Sequence, residues 1–282
     1  MSDWDTWIGR ELRQEGQLDP ALARRWCATF DLPVPSVEMP QGIHLCLCTP
    51  ETPTELLGED GHPARNAPGS FLPPIPLPRR MWAASAMTFH RPLRMGDAIA
   101  RTSTIAAITE KSGGSGTLVF VELDHRTGAN GALAVEERQT LVYRAVATPD
   151  VPLSPPEAGE GAFDRSDWDA HRVVVPDERS LFRYSALTFN THRIHYDAPY
   201  ARDVERYRGL VVHGPLTASL LLQLAGAQFG NNRLARFAFR GVSPAIVGEL
   251  LHLVMRGGGD SLEMGAFAAD GRQVMKADVI LR

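Results

Sequence analysis

The chain has 282 residues, a hydrophobic fraction of 44%, a charged fraction of 22% and a formal net charge of −4. These values are typical of a globular protein with a sizeable core, and they lack the basic surface that nucleic-acid binding requires. No stretch approaches the ~18 consecutive apolar residues of a membrane span, and the acidic amino terminus does not resemble a secretory signal. We therefore expect a cytoplasmic protein with no nucleic-acid or membrane partner.

The first predicted helix covers residues 18–30. Asp19 is a suitable N-cap, and Pro20 follows at the first helical position, where proline is favoured. The next apolar run, GIHLCLCT, is predicted to be a strand or a short buried segment. If it is a strand, Cys46 and Cys48 face the same side.

Residues 51–80 are rich in proline, which favours an irregular, extended path. Strands dominate from Met81 onward, in the runs MWAASAMTF, AIARTSTIAAIT, TLVFVELDHR and ALAVEERQTLVYR. The separators KSGGSG and TGANG are typical of hairpin turns. The proline- and acid-rich run ATPDVPLSPPEAGEG is the best candidate boundary. We predict an amino-terminal unit of residues 1–146, a linker of residues 147–161 and a carboxy-terminal unit of residues 162–282.

The second half repeats the ending of the first. Phe89 and Phe239 are each followed by a proline, three residues, a glycine and an acid, and then by three strand runs. A helix opened by Gly214 and Pro215 is apolar on nearly all its faces, which predicts a buried helix. A central helix wrapped by an antiparallel sheet is the hotdog arrangement. The prediction is an α+β double hotdog, with two such units fused in one chain.

The polar run from Asn190 to Asp197 is the strongest candidate site. His192 and His195 lie in it, and histidine is the side chain best suited to proton exchange near neutral pH. His213 precedes the apolar helix, where free backbone amides can bind an anion or stabilise an oxyanion. The residues alone leave open that His192 and His213 are structural and that Asp197 caps a turn.

A metal site is the competing interpretation of the same residues, with His192 and His195 joined by His213 or Asp197. The stretch lacks the HExxH pattern and the usual cysteine–histidine spacings, so no metal is predicted. The chain also contains no GxSxG nucleophile elbow, no GxxxxGK[ST] phosphate loop and no GxGxxG after a strand.

The stretch FNTHRIHYDAPYARDVERYRGLVVHGPL resembles the MaoC-like hydratases and dehydratases of the hotdog superfamily. It is most similar to the branch of mesaconyl-C4-CoA (3-methylfumaryl-CoA) hydratase, itaconyl-CoA hydratase and hydroxyacyl-thioester dehydratase type 2. The segments LGEDGHP, FLPP and LPRRMW look like the amino-terminal pattern of that branch. The resemblance covers nearly the whole chain, and its motifs specify the family far better than the substrate.

The resemblance implies roles for individual residues. His195 matches the proton-transferring histidine of the family, and the Gly214 amide matches the donor that polarises the thioester carbonyl. Asn190 stands where the general motif has an aspartate, so it would position water or the carbonyl without taking a proton. Further residues are expected to contact the substrate: His192, Arg193, Tyr196, His213 and Arg240.

The implied reaction is the reversible addition of water to an α,β-unsaturated acyl-CoA, with a branched C5 dicarboxylyl group such as mesaconyl-C4-CoA or itaconyl-CoA preferred. Coenzyme A is part of the substrate, and no other cofactor is expected. Arg193, Arg240 or the segment from Gly58 to Trp82 would bind the distal carboxylate. For Arg79 and Arg80 a structural or solvated role is equally open.

Two other functions remain open on this scaffold. An acyl-CoA thioesterase is the first, although Asn190 stands where such an enzyme usually has a carboxylate. A non-catalytic acyl-thioester binding protein is the second, and the presence of His195 and Gly214 counts against it. A homodimer is kept as the expected assembly.

Overall fold

The computed structural model describes residues 4–113, 116–148 and 150–282. Gly114 and Ser115 of the predicted turn KSGGSG, and Pro149 of the predicted linker, lie outside the described residues. The helices are α1 (Pro20–Thr29), α2 (Glu178–Thr188) and α3 (Gly214–Phe229). The strands are β1 (Glu11–Gln17), β2 (Arg79–Phe89), β3 (Ala98–Gly113), β4 (Gly116–Ala129), β5 (Ala132–Arg144), β6 (Ala170–Val174), β7 (Leu234–Gly241), β8 (Leu251–Gly258), β9 (Ser261–Ala268) and β10 (Gln273–Leu281). None of the described helices is both long enough and apolar enough to cross a membrane.

The strands form one sheet in the order β1-β3-β4-β5-β2-β7-β10-β9-β8-β6, and each neighbouring pair is antiparallel. Counted outward from the central β2–β7 pair, both halves give the same order of second, fifth, fourth, third and first strand. The two halves are therefore related by an approximate two-fold axis. This order confirms the predicted α+β double hotdog.

The repeated sequence pattern has a repeated structure. Two successive amides after β2 donate to the carbonyl of Ala134, and two after β7 donate to the carbonyl of Val274. Gly96 and Gly248, the glycines of the pattern, both have a positive φ, of 90° and 80°. Glycine adopts this conformation without the Cβ strain of other residues, which explains why both halves use it here.

The two predicted helices both occur. Asp19 caps α1 by accepting a hydrogen bond from the Ala21 amide at 2.6 Å. Helix α3 is buried along most of its length and packs on β8 and β9. It also contacts the first half, because a Cβ at Gly42 would lie 3.3 Å from Leu222. Helix α3 is thus the core around which the two halves meet.

The run GIHLCLCT differs from the strand alternative. Residues Ile43–Cys46 form a short 3-10 helix, since Gly42, with a φ of 108°, turns the chain inward against α3. Cys46 is buried, whereas Cys48 is partly exposed, so the two thiols do not share one face. The alternative of a short buried segment is the correct one.

Three elements were not predicted, namely β1, α2 and β6. They reveal that α1 follows the first strand of its half, just as α2 follows β6. The position of α3 is occupied in the first half by the irregular chain between α1 and β2, which contains only short 3-10 turns. This irregular chain reaches the site described below. Strand β5 ends at Arg144 and β6 begins at Ala170, and the predicted unit boundaries lie between these two strands and remain predictions.

Candidate active site

The predicted histidine stretch forms a tight turn after α2. Phe189 ends the helix in a left-handed conformation, with φ 49° and ψ 40°. The side-chain oxygen of Asn190 then accepts the backbone N–H of His192 at 2.9 Å. A single 3-10 turn, Arg193–His195, follows, and the rings of His192 and His195 meet edge to face with their centroids 5.5 Å apart. The short spacing of the two histidines on this turn therefore places their rings in contact.

His195 is held in one orientation and one tautomer. Its Nδ1 lies 2.7 Å from the carbonyl oxygen of Val211, so Nδ1 carries the proton and donates. Its Nε2 has no partner among the described residues and remains accessible to solvent. Burial lowers the pKa of His195 to about 4. The ring is therefore neutral at pH 7, with a free lone pair on Nε2.

His213 supports His195 from the other side. The two rings stack with centroids 3.5 Å apart and an interplanar angle of 19°. His213 Nε2 is 2.9 Å from the hydroxyl of Ser185 on α2, and burial lowers the pKa of His213 well below its ordinary value. A neutral, fixed imidazole in this place limits the movement of His195.

Gly214 begins α3 directly after His213. Its N–H is at the first helical position and has no hydrogen-bond partner among the described residues. The nearest atom to a Cβ at this position would be the carbonyl oxygen of Trp82, 4.0 Å away on β2. Gly214 therefore lies beside the first half of the protein, and its amide is at the positive end of the α3 dipole.

The first half contributes a second polar element, the segment LGEDGHP. From the sequence this segment indicated only the family, and no role was predicted for its side chains. In LGEDGHP, one carboxylate oxygen of Asp60 accepts the backbone N–H of His62, and the other lies 3.0 Å from His62 Nδ1. Asp60 is half-buried. Burial is the largest single effect and opposes ionisation, but the hydrogen bonds and charge of His62, together with the charge of Arg80, outweigh it and lower the pKa of Asp60. The spacing Asp-x-His in the sequence could have predicted this interaction, because an aspartate side chain readily accepts a hydrogen bond from the backbone N–H two residues later.

This loop is fitted against the histidine turn. Gly61 has a φ of 85°, and its carbonyl oxygen accepts the hydroxyl of Thr191. The backbone N–H of Arg193 donates to the Asp60 carbonyl at 2.9 Å. As a result the rings of His62 and His192 are 4.0 Å apart. Four histidine rings thus form a continuous series across the two halves, in the order His62, His192, His195 and His213.

The other predicted contact residues are placed differently. The Arg193 guanidinium makes its contacts within the protein. It pairs with Asp197 at 2.7 Å, donates to the Glu59 carbonyl and lies over the Tyr200 ring. Tyr196 has 55% of its surface exposed at the edge of the turn.

The structure does not bring Arg240 into the cluster. Arg240 is exposed on β7, and the neighbouring Phe239 is buried at 4% exposure, so their side chains point to opposite faces of the sheet. Arg240 is therefore remote from the interior face that α3 covers.

Arg79 and Arg80 separate into the two roles that the sequence left open. Arg79 is buried and forms an ion pair with Glu205, a structural role. Arg80 is half-buried and has no hydrogen bond or ion pair among the described residues. Burial lowers the pKa of His62 and of His192, and the positive charge of Arg80 lowers both further. Arg80 is thus an unpaired cation beside the histidine series.

Within the part of the chain that the structure describes, Asp60, His62 and His192 form a group that could hold a metal ion, with one potential ligand atom each within 4.8 Å of the others. Two features oppose a cation here. The Asp60 carboxylate is already bonded to His62 Nδ1, and Arg80 adds a positive charge to the same space. The group is better suited to proton exchange and anion binding.

Comparisons with known proteins agree with the resemblance seen in the sequence. The profile of the family described as hydroxyacyl-thioester dehydratase type 2 matches residues 42–247, a range that includes both polar elements. The mesaconyl-C(4)-CoA hydratase of Chloroflexus aurantiacus is 41% identical, over 99% of this chain and 98% of the relative. The mitochondrial hydroxyacyl-thioester dehydratase type 2 of Schizosaccharomyces pombe is 28% identical, over 80% of each chain.

Solved structures show the same fold at low sequence identity. HtdX of Mycobacterium tuberculosis is 18% identical with a TM-score of 0.69, covering 96% of this chain and 99% of that one. A conserved hypothetical protein of the same organism, described as a double hotdog fold, is 14% identical with a TM-score of 0.57 and covers 97% and 96%. These structures support the architecture and carry no information about substrate.

Proposed function

Because this chain belongs to the hydroxyacyl-thioester dehydratase type 2 family of MaoC-like hotdog proteins, we propose that it is a hydro-lyase acting on acyl-CoA. It adds water across an α,β-unsaturated acyl-CoA and catalyses the reverse dehydration of a 3-hydroxyacyl thioester. One arrangement supports this most directly: His195 with its free Nε2, stacked on the residue that precedes the unpaired amide of Gly214. Such a pair can exchange a proton and stabilise charge on a thioester oxygen.

The hydration direction follows from these two groups. The Gly214 N–H binds the thioester oxygen, where negative charge develops. His195 Nε2 takes a proton from water as the water oxygen bonds to the β-carbon, and the π electrons move toward the α-carbon and the thioester oxygen. The imidazolium then passes its proton to the α-carbon. A pKa of about 4 makes that imidazolium a strong donor, which favours the final transfer.

The remaining residues of the turn have supporting roles in this proposal. The Asn190 amide shapes the turn through its bond to the His192 backbone. It has no titratable group, so it positions water or the thioester carbonyl without exchanging a proton. His192 and His213 limit the movement of His195 by ring contact. Arg193 holds the turn to the first half, and the exposed Tyr196 lies at its rim.

A branched dicarboxylyl-CoA is the substrate that the charges favour. In 3-methylfumaryl-CoA the free carboxylate is attached to the β-carbon, the atom that receives water. A cation for that carboxylate must therefore lie next to the proton-transfer histidines. Arg80 meets this requirement, since it is unpaired and its charge acts on His62 and His192. Guanidinium–carboxylate pairs are strong and directional. Mesaconyl-C4-CoA and itaconyl-CoA both carry such a group.

Three further features belong to the proposal. The enzyme needs no cofactor beyond the coenzyme A of its substrate, and it works in the cytoplasm. It forms a homodimer, for which the exposed aromatic residues Phe182 and Phe189, at 72% and 59% exposure near α2, offer apolar surface. Light scattering on the purified protein would give a monomer mass if the dimer does not exist.

The test of the activity is a panel of enoyl-CoA esters offered to the purified protein. We expect loss of the enoyl-thioester absorbance without release of free thiol, fastest for the dicarboxylyl esters. Thiol release at the same rate would identify a thioesterase instead. Tight binding of the esters without any turnover would identify an acyl-thioester binding protein.

A further inference from the structure

We infer that His62, held in one tautomer by Asp60, is a second catalytic histidine and binds the attacking water through its Nε2. This inference rests on the proposed hydratase function. It assigns a catalytic side chain to the first half of the chain. That side chain lies in the irregular segment between α1 and β2, which occupies the position that α3 has in the second half.

The hydrogen bonds decide the tautomer of His62. An ionised carboxylate can only accept, so the Asp60 oxygen 3.0 Å from Nδ1 requires the ring proton to be on Nδ1. The Nε2 atom is then an acceptor with no partner among the described residues, and it remains accessible. His195 has the same arrangement, with a carbonyl in place of the carboxylate. The site thus has two anchored imidazoles, each with a free Nε2.

The surroundings keep His62 neutral and fixed. The charged and titratable groups that act on it are Asp60 on its own loop, Arg80 on β2, and His192 and His195 on the turn after α2. Burial and Arg80 lower the pKa of His62, while Asp60 opposes them. The loop is tied to the turn by the Arg193 amide and the Thr191 hydroxyl, so the ring position follows the position of the turn.

Two acceptors match the two hydrogens of one water molecule. His195 takes one proton as the water oxygen bonds to the β-carbon, and this proton later reaches the α-carbon. The other hydrogen stays on the oxygen, hydrogen-bonded to His62 Nε2, and becomes the hydroxyl hydrogen of the product. Atoms and charge balance, and both rings end neutral. In the dehydration direction His62 holds the leaving hydroxyl in the same way.

Two substitutions remove the acceptor and preserve the loop. In His62→Asn the amide nitrogen takes the place of Nδ1 and keeps the bond to Asp60, but nothing replaces Nε2. In Asp60→Asn the oxygen keeps the backbone bond to residue 62. The new NH₂ faces the ring and moves the proton to Nε2, as happens when an asparagine replaces the carboxylate of a carboxylate–imidazole pair. Glu55→Gln, an exposed carboxylate on the same segment, is the matched control.

The experiment measures kcat and KM for the best enoyl-CoA of the panel, together with histidine ¹⁵N NMR of the free enzyme. We expect both acceptor-removing variants to lose at least ~10-fold in kcat with KM nearly unchanged, the scale of one lost hydrogen bond to a reacting group. Glu55→Gln should match the wild type. The NMR should show His62 protonated at Nδ1 in the wild type and at Nε2 in Asp60→Asn.

Failure of the proposed function and failure of the role of His62 give different results. A wild-type protein that hydrates no ester overturns the proposed function, and this inference with it. An active wild type with undiminished kcat in folded His62→Asn overturns the inference alone. A change confined to KM, or an Nε2-protonated His62 in the wild type, does the same.

Discussion

Gly61 of the first half lies so close to Thr191 of the second that a Cβ at position 61 would be 1.9 Å from the Thr191 carbonyl oxygen. The obstructing atom is backbone, so no side-chain rotation can relieve the clash. Gly61 also has a φ of 85°, which other residues adopt with difficulty. The contact between the Asp60–His62 loop and the histidine turn therefore depends on the absence of a side chain here.

We predict that Gly61→Ala separates the loop from the turn and lowers kcat by at least ~10-fold, because His62 loses its place. Gly69→Ala is the matched control, since Gly69 has a φ of 75° in the same segment and nothing within 4 Å of an added Cβ. In that variant the free energy of unfolding should fall by about 1 kcal/mol, the cost of a left-handed backbone conformation for a residue with a Cβ. Steady-state kinetics and limited proteolysis of the loop compare the two. Equal activity and equal protease resistance would mean that the contact is dispensable.

His195→Asn should lower turnover by at least ~100-fold, the smaller end of what a general acid–base group contributes. The asparagine amide can keep the bond to the Val211 carbonyl, so the fold should be retained, as circular dichroism and Tm would report. His90→Ala, at an exposed histidine paired with Glu136, should leave kcat unchanged. A folded His195→Asn protein with near-normal turnover would contradict the assignment.

Arg80→Gln should change selectivity more than activity. We expect kcat/KM for a dicarboxylyl enoyl-CoA to fall about 10- to 100-fold, the equivalent of about 1.5–3 kcal/mol for a charged hydrogen bond. Crotonyl-CoA, which has the double bond without the carboxylate, should be affected far less. Arg240→Gln, on the opposite face of the sheet, should alter neither. Equal losses for both esters would instead place Arg80 against the coenzyme A portion.

The stability of the protein should fall in acid through its buried histidines. Burial lowers the pKa of the following residues: His44, His62, His125, His192, His195 and His213. The unfolded chain takes up protons below about pH 6.5, whereas the folded His44 and His195 do so only near pH 4. The unfolded state therefore binds more protons in this window, and the free energy of unfolding falls as pH falls.

The expected slope between pH 6 and 5 is about 1.4 kcal/mol per pH unit for His44 and the same for His195. Urea unfolding at pH 7.5, 6 and 5 measures it, and His195→Asn should reduce the slope by about one histidine's share. A free energy of unfolding that is constant from pH 7 to 5 would contradict the buried, neutral state of these rings.

Regular elements were predictable where local pattern and tertiary environment agree. The predicted run for β5 matches the observed strand residue for residue, and the Asp19–Pro20 signal marks the start of α1. The secondary structure was not predicted correctly from local sequence where tertiary contacts determine it. The run around Cys46 has strand-like composition, yet burial against α3 and the turn at Gly42 make it a 3-10 helix.

By itself the sequence determined the double hotdog, the buried helix after Gly214 and the closeness of His192 to His195. The fold follows from hydrophobic periodicity and from the repeat after Phe89 and Phe239, and the closeness of the two histidines follows from their short spacing. Only the tertiary structure decided that Asp60, His62 and Arg80 join them, and that Arg240 does not. The loop that holds Asp60 and His62 has no periodic pattern, and its contact with the turn spans 130 residues of chain. Long-range packing, through a glycine that leaves room for a carbonyl group, decides which polar side chains meet.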